Sequence, residues 1–182
     1  MRAYKGFHRD LTCTLGKGRY QYREGVWIDE TWAECGRAGL HCAENPLDCL
    51  KYYPNWETSA YYEVEVGGDV DEWADGSELA ATRIRLVRRL DLMEFVTESV
   101  KWIAGHPGRY ASERTYGKIR VYRERGEAEE NGAVIVYGTR PEAAGKPGSI
   151  LAMVKTDGRK TAGISVGRVD GIFLKPEVWY QI

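Results

Sequence analysis

The stretch Gly39-Leu40-His41-Cys42-Ala43-Glu44-Asn45-Pro46-Leu47-Asp48-Cys49-Leu50-Lys51-Tyr52-Tyr53 reads as a strand-to-helix switch, and the rest of the chain is organised around it. Its first four residues suit a short strand. Asn45 carries a side chain able to cap a helix, and Pro46 fits the first helical position, where a missing N–H leaves no bond unmade. Leu47 and Leu50 then share a face with Tyr53 one turn on, and Pro54 stops the turn.

On the N-terminal side, Arg2 to His8 alternates as a strand, with Ala3, Lys5 and Phe7 on one face and Tyr4, Gly6 and His8 on the other. Gly16-Lys17-Gly18 is a turn. On the C-terminal side, Ser59 to Val66 sets Tyr62, Val64 and Val66 against Tyr61, Glu63 and Glu65, and Gly67-Gly68-Asp69 ends that strand. Glu63 and Glu65 point the same way, about 7 Å apart, a separation usable for acid–base chemistry or an arginine-facing surface. Asp69, Asp71, Glu72 and Asp75 make an acidic loop whose spacing does not match a calcium loop. Leu79 to Leu90 is a second alternating strand, with Ile84 and Leu86 flanked by Arg83, Arg85, Arg88 and Arg89, the only concentrated basic feature. Asp91 opens a helix to about Ile103 with Leu92, Phe95, Val96, Val100 and Ile103 as its apolar stripe.

Composition shifts at Ala104-Gly105-His106-Pro107-Gly108, which divides a domain 1–104 from an extension 105–182. The second part reads as strands over Lys118 to Tyr122, Ala133 to Tyr137, Ser149 to Lys155, Ile164 to Val169, Ile172 to Leu174 and Val178 to Gln181. A charged turn (Arg123 to Asn131) and a Gly/Pro-rich connector (Thr139 to Gly148) separate the first three, and no internal repeat is evident. The expected fold is α+β and strand-dominated: a mixed or antiparallel sheet with two helices, about 46–53 and 91–103, and a small all-β C-terminal extension that packs on the first part or mediates self-association.

The formal net charge of −1 in 182 residues gives no general attraction for nucleic acid or an anionic membrane. Apolar runs fall far short of the roughly 20 residues that span a bilayer, and the N-terminus lacks a signal-peptide core, so the expected location is a bacterial host cytoplasm. The four cysteines form no C-x-x-C pair, so they read as reduced, mostly buried thiols with no metal site. Tyr (12) and Trp (6) outnumber Phe (3), which suits half-buried rings on a sheet or a binding surface.

Two resemblances rest on named residues. Tyr4-Lys5-Gly6-Phe7, Gly39 to Cys49 with Tyr52-Tyr53-Pro54, Glu63-Val64-Glu65 with Gly68-Asp69, Gly148-Ser149-Ile150-Leu151, Val169-Asp170-Gly171 and Trp179-Tyr180 resemble a family of phage and prophage proteins. Many of its members carry glycine-rich repeats between the two parts, and here that region is short. The resemblance implies a mobile-element origin and brings no activity with it. More locally, Lys5-Gly6-Phe7-His8, Gly39-Leu40-His41-Cys42-Ala43 with Tyr53, and Tyr62 to Gly67 are similar in order and spacing to poly(ADP-ribose)-polymerase-like ADP-ribosyltransferases. That resemblance implies an NAD cleft between the first strand and the 39–53 unit, faced by His8, His41, Tyr53 and Glu78. Here the His follows the glycine instead of preceding it, His41-Cys42 replaces an aromatic pair, and nothing around Glu78 is diagnostic.

The functional expectation is a phage-type accessory protein that binds a host or viral macromolecule without a cofactor, in one form a host-defence inhibitor of anti-CRISPR type. Its partner is a protein, with self-association through the C-terminal part, and Tyr52, Trp56, Arg83 and Arg85 are candidate binding residues. The alternative is an NAD-dependent ADP-ribosyltransferase or a catalytically degenerate relative, with His8, His41, Tyr53 and Glu78 at its site. His41 and Cys42, as strand neighbours, point to opposite faces and cannot pair with each other as base and nucleophile.

Overall fold

The computed structural model describes residues 1–14, 18–74, 76–109 and 113–182. Gly16 and Lys17 of the expected turn, and Asp75 of the acidic loop, lie outside the described residues. The fold is α+β and strand-dominated, and the chain divides into two compact units, Met1–Asp91 and Leu92–Ile182.

The first unit is an antiparallel sheet that closes on itself. Strand β1 (Arg2–His8) pairs with the first half of β6 (Ser59–Glu72), Arg2 opposite Glu65 and His8 opposite Ser59. β6 forms a long hairpin with β7 (Glu78–Arg89). The other edge of β7 pairs with β4 (Trp27–Asp29) and with β5 (Leu40–Ala43), and β5 returns to β1 through the single pair Tyr4 and Ala43. Two short strands, β2 (Thr12–Cys13) and β3 (Tyr20–Gln21), pair with each other outside this ring. The ring encloses Ala3, Phe7, Ile28, Leu40, Cys42, Tyr62, Val64, Val66, Leu79, Ile84 and Leu86, the inward positions of each alternation.

The acidic stretch after Val66 is strand, not loop. β6 continues to Glu72 through a bulge at Gly67–Val70, where Gly68 takes φ +71° and the Thr82 hydroxyl accepts from the Asp69 N–H at 2.9 Å. A bulge lets a Gly-Gly pair pass through a ladder without ending it. Three of the four arginines of β7 are paired locally. Arg83 pairs with Asp29, Arg85 with Glu65, and Arg88 with Glu63, while Arg83 and Arg85 bracket the Trp27 ring at 4.7 and 4.9 Å.

The switch forms as read, but tighter. Pro46–Lys51 is a 3-10 helix, and the Asn45 side chain accepts from the Leu47 N–H at 3.1 Å. With three residues per turn, Leu47 and Leu50 eclipse each other, and both are buried. The Ser77 hydroxyl donates to Asp48 and accepts from the Asn45 N–H, tying the switch to the start of β7.

Helix α1 (Leu92–Gly105) falls in the second unit, so the division lies before the helix and not at Ala104-Gly105. Its stripe Phe95, Val96, Val100 and Ile103 is fully buried, and the helix lies along strands β10 (Ala133–Gly145), β11 (Ile150–Asp157) and β12 (Lys160–Arg168). The apolar face therefore chose its partner by geometry that periodicity does not encode.

The rest of the second unit is a short β-solenoid. β9 (Ile119–Ala128), β10 and β11 are parallel neighbours, yet only short links join them. A strand of ten residues runs about 33 Å, and a four-residue link cannot return that distance, so each strand must fold back midway. Ala133 sits on Ile119 and Ile150 on Ala133, so successive coils take 14 and 17 residues. The expected charged turn and Gly/Pro connector are the return arms of these coils, with Arg125 beside Glu142 and Ala128 beside Gly145. Val134, Val136, Leu151, Met153, Ala128 and Ala143 fill the interior. β8 (Arg114–Tyr116) and β12 flank the stack as antiparallel strands, and β13 (Tyr180–Gln181) pairs with β10. Residues 172–174, expected as strand, form a turn held by Asp170, whose carboxylate accepts from the N–H groups of Ile172, Phe173 and Leu174.

One carboxylate fixes the corner of the solenoid. Glu124 adopts φ +62°, and its side chain accepts from the Thr139 and Arg140 N–H groups at 3.0 and 2.9 Å, across the register shift of β10. Those backbone donors hold its pKa below the ordinary value. The folded pKa is the lower one, so the stabilisation is complete above the unfolded value of about 4.3 and fades as pH falls through the folded value. Glu124→Gln is therefore expected to destabilise this unit by about 1 kcal/mol at pH 7. Urea titrations of both proteins should show that gap closing below about pH 4. A gap independent of pH would refute the assignment.

Candidate functional site

A cavity of about 670 Å³ opens in the first unit where β1 and β5 splay apart beside their single pair. Lys5 and Gly6 of β1, Leu40 to Ala43 of β5, the switch residues Asp48, Cys49, Tyr52 and Tyr53, Trp73 from the segment after β6, and Glu78 at the start of β7 line it. Cys13, Tyr20 and Tyr22 close one side, and the 35–39 loop closes another.

Three of the four residues expected at a common cleft, His41, Tyr53 and Glu78, line this cavity, as does Tyr52. His8 stands behind it: its Nε2 meets the Thr14 hydroxyl at 2.9 Å, and its ring meets Tyr53 edge-on at 5.3 Å. Trp56 is stacked on Tyr61 at 4.6 Å. Arg83 and Arg85 are outside the cavity, in the ion pairs described above.

The side-chain chemistry is specific. His41 Nε2 accepts from the Gly36 N–H at 3.0 Å, so the remaining ring nitrogen carries the proton of the neutral form. Burial, with the Lys5 ammonium nearby, pushes its pKa down and favours that neutral form. His41 thus pins the 35–39 loop as a wall of the cavity. Asp71 holds the same loop by accepting from the Cys35 N–H at 2.7 Å, and Gly36, at φ +79°, packs under the Trp73 ring. Glu78 and Asp48 both pair with Lys51, so the carboxylate expected at the NAD cleft is neutralised within the protein.

All four cysteines line the cavity. Burial pushes Cys42 up to about 12 and raises Cys49 and Cys35 as well, so these rest as thiols at neutral pH. Among the described residues no cluster of His, Cys, Asp and Glu has metal-binding geometry. The Tyr53 hydroxyl donates to Cys13 Sγ at 3.1 Å, and burial raises the Tyr53 pKa.

Lys5 was not among the expected site residues. Strand alternation puts it on the face of Ala3 and Phe7, inside the closed sheet, and only 7% of it is exposed. The signal was present in the sequence: a lysine between two core positions of one strand.

The first unit is thus a closed antiparallel sheet with an aromatic-walled cavity at its splayed joint. Residues 1–98 match the family model described as a domain of unknown function, DUF7666, which covers more than half of the chain, and the protein belongs to that family. The comparisons with curated proteins and with solved structures returned no match. Among the described residues no helix is long and apolar enough to cross a membrane.

Proposed function

We propose that the first unit is a small-ligand-binding module whose cavity takes a flat nucleotide-like ligand, NAD being the first candidate. The convergence of His41, Tyr52, Tyr53 and Glu78 on one cavity of about 670 Å³ carries this reading, because residues far apart in sequence meet where an NAD cleft was expected. The tyrosines give ring faces for a flat cationic ring, and the volume lies within the usual range for a small-molecule site. Binding without turnover is the form the chemistry favours: Glu78 is paired with Lys51, and His41 spends its acceptor nitrogen on Gly36. The protein is then a catalytically degenerate relative of the ADP-ribosyltransferases and not an active one. Calorimetry with NAD and with nicotinamide is expected to show one-site binding without release of nicotinamide. An absence of heat and of thermal shift with both would remove this reading.

A second reading has its own observation. Ile172 and Phe173 are 76% and 85% exposed on the turn that Asp170 holds, a rigid apolar tip on the second unit. Exposed apolar tips are a common means of docking a partner protein. The tip supports a phage-type accessory protein, in a host cytoplasm, that binds a host or viral macromolecule or a second copy of itself, with host-defence inhibition as one form. Replacement of Phe173 by Ser should abolish co-purification of such a partner or lower the solution mass; no change in either would end this reading.

A further inference from the structure

The cavity is lined by a buried lysine, Lys5, that has no carboxylate partner among the described residues, and this narrows what can bind there. Lys5 Nζ donates to the His41 carbonyl and lies 5.3 Å from the centre of the Tyr22 ring and 5.5 Å from that of Phe7. The groups around it include a carbonyl, the Tyr22 phenol and the Cys42 and Cys49 thiols, and burial raises the pKa of the last three and keeps them protonated at pH 7. Among the described residues no carboxylate pairs with it. Of the carboxylates that line the cavity, Glu30, Asp48 and Glu78, the last two are taken by Lys51. Burial disfavours the ammonium, and the flanking Tyr22, Cys13, Cys42 and Cys49 groups favour it only in their ionised forms.

A buried charge normally persists only where something compensates it. Here the compensation from the protein is dipolar alone, an ammonium has three donors of which the His41 carbonyl takes one, and Lys5 is among the residues that line the cavity of about 670 Å³. We propose that Lys5 is the anchor for an oxyanion, a carboxylate or a phosphate carried on a ring-bearing ligand, which completes the ion pair that the fold leaves open. The tyrosines at the same wall, Tyr20, Tyr22 and Tyr53, set the ring. The proposal rests on the small-ligand reading of this cavity and specifies the chemical class, anionic at one end and flat at the other. It also assigns a cost to the empty state: the unliganded protein carries a desolvated charge that an apolar side chain would not.

The test compares charged and neutral members of matched pairs on the full chain by calorimetry and thermal shift. Nicotinate is set against nicotinamide, AMP against adenosine, and inorganic phosphate is run alone. In the wild type the charged member of at least one pair is expected to bind at least about tenfold more tightly than its neutral counterpart. The pair that discriminates tells a ring carboxylate from a nucleotide phosphate, and binding of phosphate alone shows that the oxyanion suffices. Lys5→Met should abolish the preference and raise the melting temperature of the unliganded protein. Equal affinity within both pairs, or binding of no probe to the wild type, overturns the proposal without recourse to any variant. NAD binding that Lys5→Met leaves unchanged overturns the role of Lys5 and keeps the nucleotide reading. Binding of nicotinate or AMP where NAD does not bind keeps Lys5 and removes NAD.

Discussion

Tyr61→Ala is expected to destabilise the first unit by about 3–5 kcal/mol, the cost of removing a large aromatic from a packed interior. Tyr61 is 2% exposed, although it sits on the polar side of the β6 alternation, next to Glu63 and Glu65. Two interactions hold it there: its ring stacks on Trp56 at 4.6 Å and 17°, and its hydroxyl donates to the Tyr53 carbonyl. The truncation removes the stack and leaves that carbonyl without its donor beneath the 3-10 helix. Tyr61→Phe separates the two contributions, because it keeps the ring and loses only the hydrogen bond, for about 1 kcal/mol. Urea denaturation followed by tryptophan fluorescence measures both, with a lower midpoint and an unchanged slope expected. A Tyr61→Ala protein within 1 kcal/mol of wild type, roughly the cost of the lost hydrogen bond alone, would show that the second face of β6 is not part of the core.

Gly6→Val is expected to cost about 1–3 kcal/mol by overpacking and to deform the cavity at the same time. A Cβ at Gly6 would lie 2.8 Å from Tyr53 Cδ2, closer than carbon atoms approach, and 3.3 Å from Tyr53 Cβ, a tight contact. No φ constraint is involved; the glycine is required because the Tyr53 ring lies directly on the β1 backbone. Tyr53 must then move, and it carries the Tyr61 hydroxyl on its carbonyl and the Cys13 sulfur on its own hydroxyl. The double variant with Tyr53→Ala discriminates: once the ring is gone, the added methyl groups fill space, and most of the Gly6→Val penalty should vanish. Additive penalties would mean that the strain lies elsewhere. In either background, loss of ligand heat without loss of fold would tie Tyr53 to the cavity directly.

Much of the first unit was legible because its strands alternate cleanly. Ala3 and Phe7, Tyr62 and Val66, and Ile84 and Leu86 occupy the inward positions their spacing assigns. The Asn45-Pro46 cap was equally plain, since capping is a contact between near neighbours. The continuation of β6 past Gly67-Gly68 was hidden, because the same dipeptide suits a turn and a bulge, and only the partner strand decides between them. The solenoid was hidden for a different reason. Its coils of 14 and 17 residues do not share a period, and the charged and proline-bearing arms resemble loops until a parallel neighbour pairs with them. The candidate site was half visible: His41, Tyr53 and Glu78 were named, whereas Lys5, Trp73 and Asp71 enter through long-range packing and a hydrogen bond between segments 36 residues apart.

The strand–helix switch at 39–53 and the amphipathic stripe of residues 92–103 were determined by the sequence alone, because caps, turns and periodicity are local. Which surfaces those elements cover was decided only by the tertiary structure. Closure of the ring through Tyr4 and Ala43 turned the lysine of an apolar strand face into a buried charge inside a cavity. A charge costs little on an open strand and much inside a closed sheet. The closure, more than any motif, makes Lys5 the residue around which the chemistry of the first unit turns.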